Sequence, residues 1–150
     1  MKLSTKSTYG LRAMVDIALG SRGGAIPISD IARREGLSTD YLEQLLNKLR
    51  RDGLVLSVRG PKGGYLLSKK PDDITVGDIV KALEKDMAPV HCVTADGRPK
   101  GFCKRSKDCV TKGVWMKLSK SINDCLDSMT LEDLCGKAAK APARSTRRFL

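Results

Sequence analysis

The sequence has few aromatic side chains and a single histidine. Tyr, Phe and Trp make up 4% of its 150 residues, so a hydrophobic core has to be built mainly from Leu, Ile, Val, Met and Ala. It contains no glycine-rich nucleotide fingerprint and no combination of Ser, His and Asp that would indicate nucleophilic catalysis. These absences predict a protein that is not an enzyme.

Long apolar runs are missing as well. No stretch approaches the roughly 20 apolar residues that a membrane helix needs. The basic N-terminus lacks the continuous apolar segment and the small-residue cleavage site of an export signal. We therefore expect a cytoplasmic protein without a membrane partner, in a compartment where thiols stay reduced. The odd number of cysteines, five, also disfavours a disulfide framework.

Positive charge, by contrast, is abundant. The chain has 28 Lys and Arg against 17 Asp and Glu, a formal net charge of +11. Such an excess favours an anionic partner, and for a compact basic protein nucleic acid is the commonest one. Solubility alone is the alternative explanation.

The first 50 residues predict three helices. Apolar residues recur at helical spacing in the first of them. They are Leu11, Met14, Val15, Ala18 and Leu19. A second short helix, ISDIARRE, stops at Gly36, and the polar turn LSTD begins a third helix. The leucines that share one face of this third helix are Leu42, Leu45, Leu46 and Leu49. Two short helices joined by a tight polar turn are typical of a helix-turn-helix.

A hairpin follows directly. Residues 54–58 and 65–68 predict short β-strands, and the turn between them is RGPKGG. A two-stranded hairpin behind a helix-turn-helix is a wing, and residues 74–83 predict one more helix. The expected fold is mostly α with a small β-hairpin wing, that is, a winged helix-turn-helix DNA-binding domain over residues 1–85.

Basic residues cluster at the end of the third helix and around the wing. Phosphate contacts would lie there if that helix entered the major groove. Near its start, Gln44 could pair with an adenine edge and Glu43 could accept from a cytosine amino group. Arg59 at the wing tip is long enough to enter a minor groove. The predicted DNA-binding residues are Ser38, Thr39, Asp40, Tyr41, Glu43, Gln44, Lys48, Arg50, Arg51, Arg59 and Lys62.

Residues 86–110 predict a loop that contains three of the five cysteines and the only histidine. The spacing Cys92-x10-Cys103-x5-Cys109 lacks the close cysteine pairs of most zinc sites. Long gaps in a flexible loop suit an iron–sulfur cluster, whose irons need thiolates from several directions. A thiol sensor explains the basic surroundings equally well. From spacing alone, a cluster, a thiol sensor, a zinc site and no site at all stay open.

A long apolar stripe follows this loop. Residues 111–135 predict a long helix and, after a cap at Thr130, a short last helix. The stripe lies outside the DNA-binding unit, so another surface must cover it. The same helix of a second copy is the simplest candidate, and packing against its own domain is the alternative. The predicted dimerisation residues are Trp115, Leu118, Ile122, Leu126 and Met129. Residues 136–150 lack periodicity and carry only positive charge, which predicts a disordered basic tail.

Two adjoining segments carry a family resemblance: YLEQLLNKLRRDGLV and SVRGPKGGYLL. With KLSTKSTYGLRAMVDIAL, ITVGDIVKALE, the cysteine loop and CVTKGVWMKLSKSINDCLDSMTLEDL, the chain resembles the Rrf2 family of winged-helix transcription regulators, in particular its iron–sulfur regulators. The resemblance implies a homodimer joined through the long helix. It also implies two winged heads on a palindromic operator in double-stranded DNA and a 2Fe–2S cluster in the loop.

The cluster ligands that the resemblance implies are Cys92, Cys103 and Cys109. The family's iron–sulfur regulators carry a histidine three residues after the last cysteine, where this chain has Lys112. A protonated lysine cannot coordinate iron. The fourth ligand is therefore unassigned, with His91 as a weaker candidate, and Cys125 and Cys135 are expected to be buried structural cysteines.

Together these features predict a homodimeric repressor that senses iron–sulfur status through a 2Fe–2S cluster and controls genes of iron–sulfur cluster biogenesis. The alternative is a cluster-free Rrf2-type regulator that responds to thiol redox state or cysteine metabolism.

Overall fold

The computed structural model describes residues 2–84, 86–101 and 103–141. This part of the chain contains six α-helices and one two-stranded antiparallel hairpin, which confirms the predicted mostly α fold with a wing. Two short 3-10 helices span Ser21–Gly23 and Pro71–Asp73. None of the described helices is long and apolar enough to cross a bilayer. Most of the predicted tail, residues 142–150, lies outside the described residues.

The first helix, α1 (Thr5–Gly20), packs against several other helices. Its buried residues are Ser7, Gly10, Ala13, Met14, Ile17 and Ala18. The predicted apolar face is wrong at Leu19, whose side chain is 48% exposed. Small residues form much of the contact surface, and a pattern of large apolar residues does not detect them. At Gly10, for example, a Cβ would lie 2.1 Å from Cδ1 of Leu83.

The helix-turn-helix consists of α2 (Ile28–Glu35) and α3 (Thr39–Arg51), as predicted. Gly36 ends α2 with φ 67°, a left-handed conformation that glycine adopts without a Cβ clash. Ser38 caps α3 because its hydroxyl accepts a hydrogen bond from the Tyr41 amide. The four predicted leucines of α3 are at most 1% exposed. Burial of this leucine face turns the polar face of α3 outward.

The wing consists of β1 (Val55–Val58) and β2 (Gly64–Leu67), within one residue of the predicted bounds. A second contact joins β2 to the segment before α2. The Ile26 amide donates to the Tyr65 carbonyl at 2.9 Å, and the Tyr65 amide donates to the Ile26 carbonyl at 2.8 Å. Because of this bridge, the wing is held by the body of the domain as well as by its own hairpin.

The next helix, α4 (Val76–Leu83), begins two residues later than predicted. Thr75 caps it through a capping box with Asp78. Ile74 is extended and fully buried, and its carbonyl accepts a hydrogen bond from the Leu131 amide at 2.8 Å. This long-range contact holds Ile74 in an extended conformation, although its sequence fits a helix.

Two helices complete the described chain: α5 (Lys112–Asp127) and α6 (Leu131–Lys140). Residues 136–140 are helical, so the prediction of a disordered tail from residue 136 is wrong for these five positions. A capping box at Thr130 starts α6. The alanines and lysines after Gly136 have high helix propensity and need no apolar stripe to continue the helix.

The Glu84 carboxylate connects the end of α4 to the start of α1. Its Oε1 accepts hydrogen bonds from the Ser4 amide at 2.9 Å, the Ser4 hydroxyl at 2.8 Å and the Ser7 hydroxyl at 2.5 Å. Burial disfavours the charged form, but these hydrogen bonds outweigh that effect and lower the pKa of Glu84.

We expect this carboxylate to stabilise the fold above about pH 4.5, the ordinary pKa of a glutamate. The contribution is lost as the pH falls through the lowered pKa of the folded state, because the unfolded chain binds the proton first. Near neutral pH, the free energy of unfolding should therefore be larger for the wild type than for Glu84→Gln. This difference should become smaller as the pH falls. Chemical denaturation over a pH series measures this difference, and a constant difference would contradict the assignment.

Candidate DNA interface and cysteine loop

The polar side of α3 faces solvent. Leu42 and Leu45 are buried on the opposite side and fix the rotation of the helix. Glu43 and Gln44 consequently share one exposed surface, where base edges would lie if α3 entered a major groove. The exposed positions of the predicted DNA-binding set on α3 and its cap are Ser38, Thr39, Asp40, Glu43, Gln44, Arg50 and Arg51.

Tyr41 and Lys48 differ from the rest of this set because both are half-buried. The Tyr41 ring packs edge-on against Tyr9, with ring centroids 6.1 Å apart and planes at 89°. This contact joins α3 to α1, a packing role that the sequence pattern did not indicate. The DNA contact of Tyr41 stays a prediction.

Arg59 and Lys62 lie at the exposed tip of the wing. The tip closes through a hydrogen bond from the Gly63 amide to the Gly60 carbonyl at 2.9 Å, and Gly60 has φ 110°. Among the described residues, no carboxylate forms an ion pair with Arg51, Arg59 or Lys62. These cations are therefore available to phosphates.

The end of α3 and the wing are connected. The Arg50 guanidinium donates to the Ser57 hydroxyl on β1 at 3.3 Å. Burial and then the nearby Glu43 carboxylate raise the pKa of Tyr65 on β2. Residues of α3 and of both wing strands thus form one continuous surface.

Arg59→Ala is expected to weaken operator binding by about 1–2 kcal/mol, or roughly five- to thirtyfold. The reason is that the wing tip loses an unpaired cation that could reach a groove or a phosphate. The measurement is a titration of a duplex that the wild-type protein selects from a randomised pool. Lys117→Ala removes the same charge from the exposed side of α5 and serves as the control. Equal affinities of the two variants would contradict this role of the wing.

The cysteine loop between α4 and α5 has two unlike parts. Residues 92–100 form a turn, closed by a hydrogen bond from the Lys100 amide to the Cys92 carbonyl at 2.9 Å and by a bridge between Val93 and Pro99. Val93 is fully buried. None of the residues 103–110, all of them described, is buried.

Cys109 lies close to the start of α5. Its Sγ is 3.3 Å from Oγ1 of Thr111, and hydrogen bonds from the side chain and backbone of Thr111 lower the pKa of this thiol. A lowered pKa increases the thiolate, the form that binds metals and reacts with oxidants. The Lys112 ammonium donates to the Ser106 carbonyl at 2.6 Å. Lys112 thus braces this part of the loop.

The three loop cysteines are half-buried. Across the part of the chain that the structure describes, no three His, Cys, Asp or Glu side chains group as a metal site. His91 is exposed. The donors suit iron chemically, because thiolates are the usual ligands of iron–sulfur clusters and the surroundings of Cys109 favour a thiolate. Holding a cluster would require the loop to close.

The two remaining cysteines differ from each other. Cys135 on α6 is 6% exposed, as predicted, and burial raises the pKa of its thiol. Cys125 is exposed, so its prediction as a buried cysteine is wrong in the single chain. The reason is that Ser119 is the only buried residue of α5. Cys125 lies near the apolar stripe of this helix, but no other described part of the chain covers it.

The apolar stripe of α5 is covered only in its second half. The stripe residues that pack against a buried cluster around α4 are Ile122, Leu126 and Met129. In the first half, Val114 is 58% exposed, Leu118 is 42% exposed and Trp115 is half-buried. Packing on its own domain, the alternative to dimerisation, therefore accounts for one half of the stripe and leaves the other half open.

Sequence reasoning missed two residues that hold the loop. The Ser119 hydroxyl contacts the carbonyl oxygens of Thr94 and Ala95, and the Asn123 side chain donates to the Ala95 carbonyl. Polar residues four positions apart on a helix normally indicate a solvated face. The only sequence feature that could have identified them is that they lie one helical turn apart, next to the apolar stripe.

Comparison with known proteins gives a consistent assignment. Residues 3–137 match the Rrf2 family model, described as an iron-dependent transcriptional regulator. The chain is 42% identical over 134 residues to the HTH-type transcriptional regulator IscR of Pectobacterium carotovorum subsp. carotovorum (strain PC1), covering 89% of this chain and 79% of that protein. The same regulator from Escherichia coli O1:K1 / APEC is 41% identical and is covered to 80%.

Solved structures are similar over most of the chain. IscR from T. potens superposes with a TM-score of 0.73 at 42% identity, covering 97% of this chain and 94% of that one. CymR, the global cysteine regulator of B. subtilis, gives 0.72 at 38% identity, with coverages of 91% and 98%. Family, relatives and fold agree on a regulator rather than an enzyme. The chain therefore belongs to the Rrf2 family of DNA-binding, winged-helix transcription regulators.

Proposed function

We propose that this regulator acts in the cytoplasm as a homodimeric repressor of genes for iron–sulfur cluster biogenesis. It binds a palindromic operator in double-stranded DNA and senses iron–sulfur status through a 2Fe–2S cluster. The observation that carries the proposal is a basic loop of three free cysteines, fastened to the half-covered helix α5 of an Rrf2 regulator. The target genes are inferred from the resemblance to the family's iron–sulfur regulators.

The exposed half of α5 supports the dimer. Val114 and Leu118 offer apolar surface that a second α5 can cover. A two-fold axis through this contact gives two winged heads in opposite orientations, which is the arrangement that a palindrome requires. In each head, Glu43 and Gln44 are assigned to base edges and Arg59 to a groove or a phosphate.

The loop supports the cofactor assignment. The ligands proposed for the cluster are Cys92, Cys103 and Cys109. A bound cluster would make the state of the loop depend on the supply of iron and sulfide. Lys104 and Lys107 are exposed in the same loop, where their positive charges would offset the negative charge of a bound cluster. Closure of the loop on α5 would then favour one arrangement of the two heads over another, a population shift.

Anaerobic purification tests this function. Iron and acid-labile sulfide should be present, with the visible and electron paramagnetic resonance spectra of a 2Fe–2S cluster. Operator binding of loaded and metal-free protein should differ. A colourless, metal-free protein with normal operator binding would exclude the cluster.

A cluster-free thiol regulator is the second candidate. It is favoured because no three metal-binding side chains group together among the described residues, and because the lowered pKa of Cys109 makes this thiol more readily oxidised. The similarity to a global cysteine regulator points the same way. In that case mild peroxide should change DNA binding of the metal-free protein, Cys109→Ser should remove the response, and added iron should have no effect.

A further inference from the structure

Ser119 and Asn123 on α5 belong neither to the apolar stripe nor to the DNA interface, yet Ser119 is only 1% exposed. The single proton of the Ser119 hydroxyl is shared between the Ala95 and Thr94 carbonyl oxygens, at 2.7 and 3.0 Å. The Asn123 side-chain amide donates to the same Ala95 oxygen and, at 3.2 Å, to the Ser119 carbonyl. The Thr94 carbonyl also accepts the Gly97 amide at 3.0 Å, so the Ala95 carbonyl is the group that depends on these two donors. Leaving a carbonyl that packs against a helix without partners costs more than losing an exposed hydrogen bond.

The turn that these residues hold is well ordered internally. The Thr94 amide donates to the Arg98 carbonyl at 2.7 Å, and the Arg98 amide donates to Oγ1 of Thr94 at 2.9 Å. Gly97 is buried and has φ 81°. A Cβ at this position would lie 2.9 Å from the carbonyl oxygen of Met116 on α5. The turn therefore fits the helix surface so closely that only glycine is accommodated there.

Cys92 stands at the base of this anchored turn, where its carbonyl accepts the Lys100 amide. Cys103 and Cys109 lie in the part that has no buried residue. That part is held mainly by local contacts, such as the Ser106 amide to the Cys103 carbonyl at 2.9 Å. Segments with few buried contacts open at low free energy, and anchored ones do not.

We propose that Ser119 and Asn123 are positioning residues that fix Cys92 on α5, and that the loop closes by movement of residues 103–110 toward Cys92. Closure serves the cluster binding proposed above and rests on it, whereas the anchoring of Cys92 does not. The side-chain oxygen of Asn123 is buried and accepts no hydrogen bond from the described residues. The NH2 end of the side chain makes the contact to the Ala95 carbonyl, and Asn123→Asp keeps the shape of the side chain while removing the donor.

Alkylation of the metal-free protein by iodoacetamide, mapped by mass spectrometry, tests the anchoring. Ser119→Ala and Asn123→Asp should each raise the alkylation rate of Cys92 about fivefold, the change in opening equilibrium expected for one lost hydrogen bond. Rates at Cys103 and Cys109 should not change. The alkylation of the buried Cys135 reports global unfolding and should stay slow.

Lys120→Ala is the control variant. Lys120 lies on the exposed side of α5, so its substitution should change none of these rates. An unchanged Cys92, or a parallel rise at all four cysteines, would overturn the anchoring.

Hydrogen exchange of the wild-type protein tests the movement without any variant. Before loading, the hydrogen-bonded amides of Thr94, Gly97, Arg98 and Lys100 should exchange slowly and those of residues 103–110 quickly. After anaerobic reconstitution with iron and sulfide, residues 103–110 should gain protection while these four amides keep theirs. Loss of protection at these four amides on loading would refute the direction of closure. Failure to take up iron would refute the proposed function, and the alkylation rates would still decide the anchoring.

Discussion

Serine in place of any one of the three loop cysteines is expected to reduce iron and sulfide uptake to near background. The variants are Cys92→Ser, Cys103→Ser and Cys109→Ser. A serine hydroxyl stays protonated at neutral pH and is a much poorer ligand for iron than a thiolate. Because few protein donors are available to the cluster, the loss of one should not be made up by a neighbour. Iron, acid-labile sulfide and visible absorption after anaerobic reconstitution measure the effect.

Cys125→Ser and Cys135→Ala are the controls for this series. Cys125 is exposed on α5 and Cys135 is buried in α6, and neither belongs to the loop. Both variants should take up as much iron as the wild type. Full uptake by one of the loop variants would remove that cysteine from the ligand set, and loss of uptake in Cys125→Ser would add Cys125 to it.

Gly64→Ala is expected to lower the free energy of unfolding by about 3 kcal/mol. A Cβ at this position would lie 2.0 Å from the Ile26 carbonyl oxygen, a backbone atom that cannot move without breaking the bridge to Tyr65. The residue also has φ 149°, which L side chains rarely adopt. Because the bridge holds the wing, operator affinity should fall as well, since the position of Arg59 is no longer fixed.

Gly113→Ala provides the matched glycine control. No heavy atom surrounds a Cβ at this position within 4 Å, and its φ is not positive. Alanine in this first turn of α5 should leave stability unchanged or raise it by about 0.5 kcal/mol. Urea denaturation of both variants gives the comparison. Equal free energies of unfolding for the two variants would contradict the prediction. They would show that the contact between the wing and the segment before α2 can be lost without lowering stability.

Elements with one clearly buried face could be predicted from sequence, and elements with several contacts could not. In α3, leucines recur every three or four residues and all four are buried. In α1, Gly10 and Leu19 reverse the simple expectation: the small residue is buried because Leu83 packs on it, and the large one is exposed. Hydrophobic periodicity detects large side chains on one face, whereas a helix with neighbours on several sides packs through small ones as well.

The candidate site shows the same division. Spacing and basic surroundings left a cluster, a thiol sensor, a zinc site and no site open, and the family resemblance singled out the three loop cysteines as ligands. The exposed set on α3 and the wing lies where the helix-turn-helix pattern placed it. The pattern did not reveal that, within the described part of the chain, the cysteines do not group as a metal site, or that Lys112 contacts the Ser106 carbonyl. Both depend on the path of a loop whose backbone conformation no local pattern specifies.

The sequence by itself determined the order of the helices, the wing and the basic surface, because caps, turns and amphipathic faces arise from residues close together in the chain. Tertiary structure alone decided which half of α5 stays open and which part of the cysteine loop is anchored. The Ser119 hydroxyl meets the Thr94 carbonyl 25 positions earlier in the chain. A hydrogen bond between a side chain and a distant backbone carbonyl leaves no periodic pattern, since every residue but proline offers the same backbone groups.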